Sequence, residues 1–528
     1  MSVEEAWAEV AQLLPAEPPA EPVDPGDLVS AMERTPGEVT FVSGQEELQR
    51  MLAHPFAAWR TFLQPSQRKI AYRQSYSGPA QVTGGAGTGK TVTALHRTAF
   101  LAGRADQPAP AGPPVLLTTF TRNLAEALDA QLGLLIDDPV ARGRIEILNV
   151  DRLAYRIVKE ARGNPVIADS LWLRQRWAEA EGAGLAALAG AGPSFSPVFL
   201  QHEWDQVILA QDLRTEQAYL TCLRTGRGRP LTKAQRSLAW QAAEQVAAEL
   251  KAAHRSTFIQ LANEATHLLR ESGRTLYQHV IVDEAQDLHP AQWRLLRAAV
   301  PQAPDDMFIS ADPHQRIYDS RVSLASLGIQ VRGRSRRLTV NYRTTQEILT
   351  WAVPLLGPAP VTGLDGEADS LTGYRSPMHG RRPLIHPAAT RQEELATLAE
   401  RISAWLASGI EPSAIGVAAR SSSLAHQASD ALKAAGIPIL ALAAQGAKNA
   451  VRAGTMHGMK GLEFQAVAVI GVEQGTVPAP AALTPASEDP LAHDHDLQRE
   501  RCVLFVACTR ARDHLYVSYV DRPSPFLP

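Results

Sequence analysis

The chain is poor in cysteine, with three thiols, Cys222, Cys502 and Cys508, in 528 residues. They are too few and too scattered for a disulfide framework or a zinc site. A reducing compartment follows, and the expected location is cytoplasmic. There is no excess of positive charge either: 52 Lys and Arg stand against 55 Asp and Glu, a formal net charge of −3. That excludes a global basic signature for nucleic acid, so any polyanion site has to be a local patch. No window approaches the ~18 uncharged apolar residues of a membrane span, and no membrane partner is expected. Met1 to Glu5 are acidic and lead into no apolar core, so no secretory signal is read there. Aromatic residues make up 6%, hydrophobic residues 45% and charged residues 20%, an ordinary globular mixture. The length suggests about three or four domains.

Glycine, in contrast, is concentrated in one stretch. Gly84-Gly85-Ala86-Gly87-Thr88-Gly89-Lys90-Thr91 reads G-x-x-x-x-G-K-[ST]. Glycines let this backbone turn tightly, so that consecutive N–H groups, over Gly85, Ala86, Gly87, Thr88 and Gly89, face phosphate oxygens. Lys90 reaches the β- and γ-phosphates, and the Thr91 hydroxyl is a Mg²⁺ ligand. Pro79 to Val82 is a short strand before the loop; Val92, Leu95, Ala99 and Phe100 recur at helical spacing after it. The helix N-terminus then points at the phosphates. A second element, Val280-Ile281-Val282-Asp283-Glu284-Ala285-Gln286-Asp287, is an apolar strand ending in carboxylates. Asp283 suits Mg²⁺, and Glu284 suits a general base for the attacking water.

Around these two elements the chain divides. Residues 1–60 form an extension, with a proline-rich linker from Pro15 to Pro25 and a short helix from Gln45 to Leu52, and carry no recognisable chemistry. Gln67 follows a helix start at Pro65-Ser66; its amide can read an adenine edge or simply face solvent. Val115 to Asn123 is a strand with a polar end, where Phe120 either stacks on a base or packs in a core. From about 155 to 270 the pattern is helical, with Trp172, Trp177, Trp204 and Trp240 expected in its core. Within it, Arg224, Arg227, Arg229, Lys233 and Arg236 crowd a loop broken by glycine and proline, suited to a phosphate backbone or to a solvated turn. Met307 to Tyr318 and Leu338 to Arg343 are further strands with polar ends, the place where open α/β sheets bind ligands. Strand-helix alternation over 384–470 implies a second parallel lobe. Arg510 is placed at the start of a loop before a strand from Leu515 to Tyr519. That lobe has no second phosphate loop, so its arginines act as charge donors to the first.

From Phe62 to about 520 the set resembles the superfamily 1 helicases of the UvrD/Rep type. The motifs fall in order at Gln67, Gly84–Thr91, Thr119–Asn123, Asp283–Asp287, Asp312–Tyr318, Asn341–Arg343, His457–Phe464 and Val506–Arg512. The resemblance implies an α/β fold of two RecA-like P-loop lobes, parallel sheets with flanking helices, and a helical insertion in the first lobe. The implied limits are 61–150 with 271–335 for the first lobe, 151–270 for the insertion and 336–528 for the second lobe. ATP with Mg²⁺ would lie in the cleft. Gln67 and Tyr342 would hold adenine, Glu463 the ribose, and Lys90, Thr91 and Asp283 the phosphates and metal. Glu284 would be the base, Gln286 and Gln315 would link the γ-phosphate to the DNA track, and Arg343 and Arg510 would stabilise the transferring phosphoryl group. Phe120, Asn123 and His457 would lie along single-stranded DNA, with RNA left open because no residue here reads a 2′-OH.

Three departures qualify the resemblance. Ser320 stands where the family has a base-stacking aromatic. Asn149-Val150-Asp151 replaces the usual Thr-Phe-His. The interval from Arg343 to His457 is too short for the family's large second-lobe insertion, so this is a compact form. No nuclease signature follows Arg512. The implied activity is ATP-dependent single-stranded DNA translocation or unwinding, 3′→5′, in DNA repair or replication maintenance. The alternative is a nucleic-acid-stimulated ATPase that remodels protein–DNA complexes or serves as a complex subunit without processive unwinding. A catalytically dead scaffold is opposed by intact Lys90, Asp283, Glu284, Arg343 and Arg510. Protein partners and oligomeric state are not legible.

Overall fold

The structure is a computed structural model and describes residues 63–104, 112–187, 195–317, 323–442, 444 and 449–528. The linker and helix expected before residue 60, and Tyr318 and Ser320, lie outside the described residues.

The strands in chain order begin with β1 (Ala80–Gly84), β2 (Val115–Thr119) and β3 (Ile145–Asn149). Two short strands, β4 (Val166–Ile167) and β5 (Arg255–Ser256), pair only with each other. β6 (His279–Val282), β7 (Met307–Ala311) and β8 (Ser335–Leu338) complete the first sheet, whose order is β3-β2-β6-β7-β1-β8. Every pairing is parallel, with Leu117 opposite Ile281 and Val82 opposite Ser310. Parallel sheets have helices on both faces, so their strands are apolar runs rather than alternations. Val115-Leu116-Leu117 and Val280-Ile281-Val282 fit that rule and are wholly buried.

The helices used below are α1 (Pro65–Ala71), α2 (Lys90–Arg104), α3 (Arg122–Gly133), α4 (Val150–Arg162), α5 (Lys233–Ala252), α6 (Phe258–Ser272) and α7 (Pro290–Ala299). One face of the first sheet packs Val82 and Ile281 against Leu95, Leu101, Leu128 and Leu132 of α2 and α3. The other packs Val280 and Ile309 against Leu153 and Ile157 of α4, Leu261 and Leu269 of α6, and Trp293 of α7. This corrects the expected insertion, 151–270. Both α4 and α6 belong to the first lobe's core, and the insertion's own core runs from Ala168 to Leu250, around Trp177, Phe199, Trp204, Tyr219 and Val246 of α5. Periodicity shows that a helix has an apolar stripe; it does not show which core that stripe faces.

A small antiparallel pair, β9 (Val361–Thr362) and β10 (Ala368–Asp369), precedes the second sheet. That sheet holds β11 (Leu384–Ala388), β12 (Ile415–Ala419), β13 (Ile439–Ala441), β14 (Val451–Thr455), β15 (Phe464–Ile470) and β16 (Ala511–Val520). Its order is β11-β16-β15-β12-β14-β13, again all parallel. The flanking helices include α8 (Arg391–Ala407), α9 (Ser422–Ala434) and α10 (Pro490–Cys508). The chain therefore folds as two RecA-like α/β lobes. β13 and β14 are joined only by Leu442–Ala450, and β16 opens at Ala511, so no loop separates Arg510 from its strand, contrary to expectation. Among the described residues no helix is long and apolar enough to cross a membrane.

Candidate active site at the carboxyl ends of the first sheet

The strand order places β6, β7 and β1 side by side. Their carboxyl ends therefore bring together groups that lie far apart in the chain: the phosphate loop after β1, Asp283 and Glu284 after β6, and Asp312 after β7. Lys90 is the first residue of α2, and its Nζ donates to Gly85 O at 2.7 Å and pairs with Asp312 at 3.3 Å. Gly87 and Gly89 take φ of 71° and 77°, left-handed values that favour glycine. The space a Gly89 Cβ would fill is taken by Gln67, whose Nε2 donates to Thr88 O at 2.8 Å. Gln67 is buried, which removes the alternative of a solvated amide.

Beside the loop, Thr91 Oγ1 donates to one Asp283 oxygen at 3.0 Å and Ser310 Oγ to the other at 2.7 Å. A hydroxyl and a carboxylate in contact, with no nitrogen or sulfur ligand, form a donor set that suits a hard cation such as Mg²⁺. Burial, and then the adjacent Glu284 charge, raises the Asp283 pKa. Burial would raise Glu284 as well, but Lys460, Lys90 and Arg510 outweigh it and hold its carboxyl low. Glu284 also adopts φ 53°, a left-handed value uncommon for a residue with a Cβ.

Both lobes complete the arrangement. Gln286 is fully buried; its Nε2 donates to Glu284 at 2.6 Å and its Oε1 accepts from Asp312 N at 2.9 Å. Gln315 Nε2 donates to Asp312 at 2.6 Å, and its Oε1 accepts from Arg510 of the second lobe. Lys460, also from the second lobe, pairs with Asp287, lies 3.4 Å from Glu284 and donates to Gln315 O at 2.9 Å. Burial disfavours the Lys460 ammonium, but Asp287 and Glu284 outweigh it and keep its pKa above the ordinary lysine value. Arg343 pairs with Glu463 at 3.1 Å, and its Nε is buried without a hydrogen-bond partner. Arg510 is buried, and its hydrogen bonds go to uncharged oxygens, those of Gln315, Val506 and Leu462. Burial, then the nearby Arg343, pushes its pKa down to about 10.

Comparison with known proteins agrees. The UvrD/REP helicase N-terminal domain matches residues 63–328, and the UvrD-like helicase C-terminal domain matches 441–522. The chain belongs to the UvrD/REP helicase family. It is an ATP-hydrolysing enzyme. Proteins named ATP-dependent DNA helicase UvrD2 from Mycobacterium tuberculosis and Mycobacterium bovis are 26% identical over 562 residues, covering 85% of this chain and 77% of theirs. ATP-dependent DNA helicase PcrA from Staphylococcus aureus is 42% identical over 72 residues, 14% of this chain and 9% of that protein.

The remaining expected residues of this UvrD/REP helicase fall in different surroundings. Tyr342 is half-buried, and its N–H donates to Gly87 O at 3.0 Å. Phe120 is half-buried and packs against the first lobe's core, whereas Asn123 is exposed on α3. His457 is half-buried, and burial, then Arg420, pushes its pKa down to about 4. The basic loop requires a correction. Arg224 bonds Glu203 at 2.5 and 2.7 Å, and Arg227 bonds it at 3.3 Å. Arg227 also lies 4.9 Å over the Phe199 ring, and Arg229 lies 4.9 Å over Phe195. Arg236 donates to three backbone carbonyls, those of Tyr219, Leu220 and Cys222. The side chains of Arg224 and Arg227 are 5% and 2% exposed, so these cations hold the insertion together and are not available to phosphate. The loop's tip meets the second lobe instead, where Gly228 N donates to Asp489 at 3.1 Å; at the start of another helix, Ser196 Oγ donates to Glu488 at 2.7 Å.

Sequence reasoning missed the bridging role of Lys460 and Asp287, although both lie inside quoted motifs. It also missed Tyr374, which no motif covers.

Proposed function

We propose that the chain is a motor that couples ATP hydrolysis to movement along single-stranded DNA, 3′→5′, in DNA repair or replication maintenance. The observation that carries this is the contact of Arg510 with Gln315 beside the Lys460–Asp287 pair. The groups that surround the γ-phosphate come from both lobes, so the state of the nucleotide and the seating of one lobe on the other are linked. Polarity and pathway rest on the family resemblance, and DNA as substrate rests on the relatives' names.

In this reading Gln67, Tyr342 and Glu463 receive the nucleoside, and the loop from Gly85 to Thr91 receives the phosphates. Thr91 and Asp283 would hold Mg²⁺, which would supply charge that neutralises the phosphates. Lys90 leaves Gly85 O for the β- and γ-phosphates. Glu284, kept ionised by its three cationic neighbours, accepts a proton from the attacking water. Arg343 and Arg510 meet the charge that develops on the transferring group. Gln286 and Gln315 connect these groups to the strand ends, where Phe120, Asn123 and His457 are the residues proposed along the nucleic acid.

A second reading, an ATPase that remodels complexes without processive unwinding, is favoured by the short β13–β14 connection. Leu442–Ala450 leaves no room there for a duplex-gripping domain. One experiment separates the two: ATPase rate with and without single-stranded DNA, beside unwinding of partial duplexes bearing either overhang. Stimulation with unwinding from a 3′ overhang supports the motor. Stimulation without unwinding supports the second reading, and an ATPase indifferent to nucleic acid removes both.

A further inference from the structure

Tyr374 stands far from every nucleotide motif in the sequence, yet its ring lies on the phosphate loop. A Cβ built on Gly85 would come within 2.7 Å of the ring's Cζ. The hydroxyl donates to Ala86 O and accepts from Asn341 Nδ2 at 3.1 Å. The other end of that amide is engaged too: Asn341 Oδ1 accepts from Arg343 N at 2.8 Å and Thr344 N at 3.0 Å. The chain of donors is therefore consistent throughout, from amide to phenol to loop carbonyl. Tyr374 is itself held, because Arg375 N donates to Thr339 O at 3.1 Å and Asn341 N donates to Arg375 O at 2.8 Å. Next to these contacts Tyr342 N reaches Gly87 O at 3.0 Å. Two successive carbonyls of the loop, at Ala86 and Gly87, are thus fixed by the strap that leads from β8 to the second lobe.

The glycines record the same fit. Gly85 sits at a free position of the G-x-x-x-x-G-K pattern and has no positive φ, so its backbone does not require glycine. The nearest atoms to its missing Cβ all belong to the Tyr374 ring, and those nearest the missing Cβ of Gly87 belong to Asn341 and Arg343. Burial, then the Asp312 charge, raises the Tyr374 pKa well above the ordinary tyrosine value, so the phenol remains a donor at every working pH.

We propose that Tyr374 is a positioning residue of the ATPase, fastening the Gly85–Gly87 turn to the strap that carries Arg343 so that loop and arginine keep one register through turnover. It rests on the nucleotide cleft proposed above. Lys90 and the helix N-terminus bind phosphate without it, so the contribution belongs to the step in which Arg343 acts, and it is read in kcat more than in KM.

The test uses the full chain and steady-state ATPase with single-stranded DNA. The variants are Tyr374→Phe, Tyr374→Ala, Gly85→Ala and the double Gly85→Ala/Tyr374→Ala, with Lys90→Ala as the inactive control. Tyr374→Phe, which removes both contacts of the hydroxyl, should lower kcat about tenfold or more, while KM for ATP changes about twofold or less and Tm falls by at most a few degrees. Gly85→Ala should impair the parent but add little in the Tyr374→Ala background, because the ring it strikes is gone. Parent-like kcat in Tyr374→Phe, a loss confined to Tm, or an equal Gly85→Ala defect in both backgrounds overturns the assignment while leaving the cleft intact. A parent inert toward ATP, no faster than Lys90→Ala, takes down the cleft and this inference together.

Discussion

Arginines gather in two regions of this chain, and the sequence marks both as candidates for phosphate. In the insertion, Arg224 and Arg227 meet Glu203, a carboxylate that is 1% exposed and also accepts from the Tyr219 hydroxyl at 2.7 Å. In the cleft, Arg510 is equally buried but hydrogen-bonds only neutral oxygens, with Glu284, Glu463 and Asp312 near it, and Arg343 pairs with Glu463 at 3.1 Å. Burying a cation is costly unless something compensates it. In the insertion the compensation is permanent and internal, so the arginines act as struts. In the cleft the carboxylates near Arg510 do not offset its burial, and its pKa stays below the ordinary arginine value. The number of cations in a stretch therefore says little about function; whether nearby carboxylates outweigh burial, as at Arg224 and not at Arg510, says more.

The comparison can be broken or sharpened by mutation, beginning with the hydrolytic centre. Lys90→Ala should abolish turnover, and Glu284→Gln should keep ATP binding while losing hydrolysis, since an amide accepts no proton. A Glu284→Gln protein that hydrolyses at the parent rate would remove the base from the cleft. Arg510→Ala and Arg343→Ala come next. Arginines supplied to a transferring phosphoryl group are worth roughly 10³–10⁵-fold, so kcat should fall by that order with a much smaller change in ATP affinity. If either variant retains near-parent kcat, that arginine is a strut like those of the insertion.

The insertion should respond in stability and not in catalysis. Glu203→Ala leaves two buried arginines unpaired, and breaking a buried pair typically costs about 3–5 kcal/mol. Denaturant unfolding should show that loss, and a shift under about 1 kcal/mol would deny the strut role. Smaller still is the expected effect of Arg227→Ala on nucleic-acid affinity. A phosphate contact contributes about 0.7–0.9 to the slope of log affinity against log salt, and here the slope should stay at the parent value. A flatter slope would return Arg227 to the nucleic-acid face.

A pH-dependent effect concerns His457, which faces Arg420, Glu500 and Arg499. Its pKa in the fold, about 4, lies below the ordinary histidine value of 6.5. The unfolded chain therefore takes up a proton first as the pH falls. No penalty exists above about pH 6.5; it grows down to about pH 4 and is constant below. Melting temperature of the parent minus that of His457→Gln should decline across that window. A difference that does not vary with pH would mean that His457 titrates alike in the folded and the unfolded chain.

Much of this protein was legible before any coordinates. The phosphate loop, the Asp283-Glu284 strand end and the glycine pattern are local devices, in which backbone geometry and side-chain chemistry are set within a few residues. Apolar runs such as Val280-Ile281-Val282 likewise announce strands buried on both faces, and hence two parallel sheets. What the sequence could not settle is which partner a side chain meets across long stretches of chain. The assignment of α4 and α6 to the first lobe's core, the pairing of Arg227 with Glu203, the reach of Lys460 to Asp287 and the seat of Tyr374 on Gly85 depend on packing between elements far apart in the chain. An amphipathic helix or a buried cation satisfies its local pattern equally well in either of two environments. Only the tertiary structure decides between them, because the free energy that distinguishes them lies in contacts that no local pattern encodes.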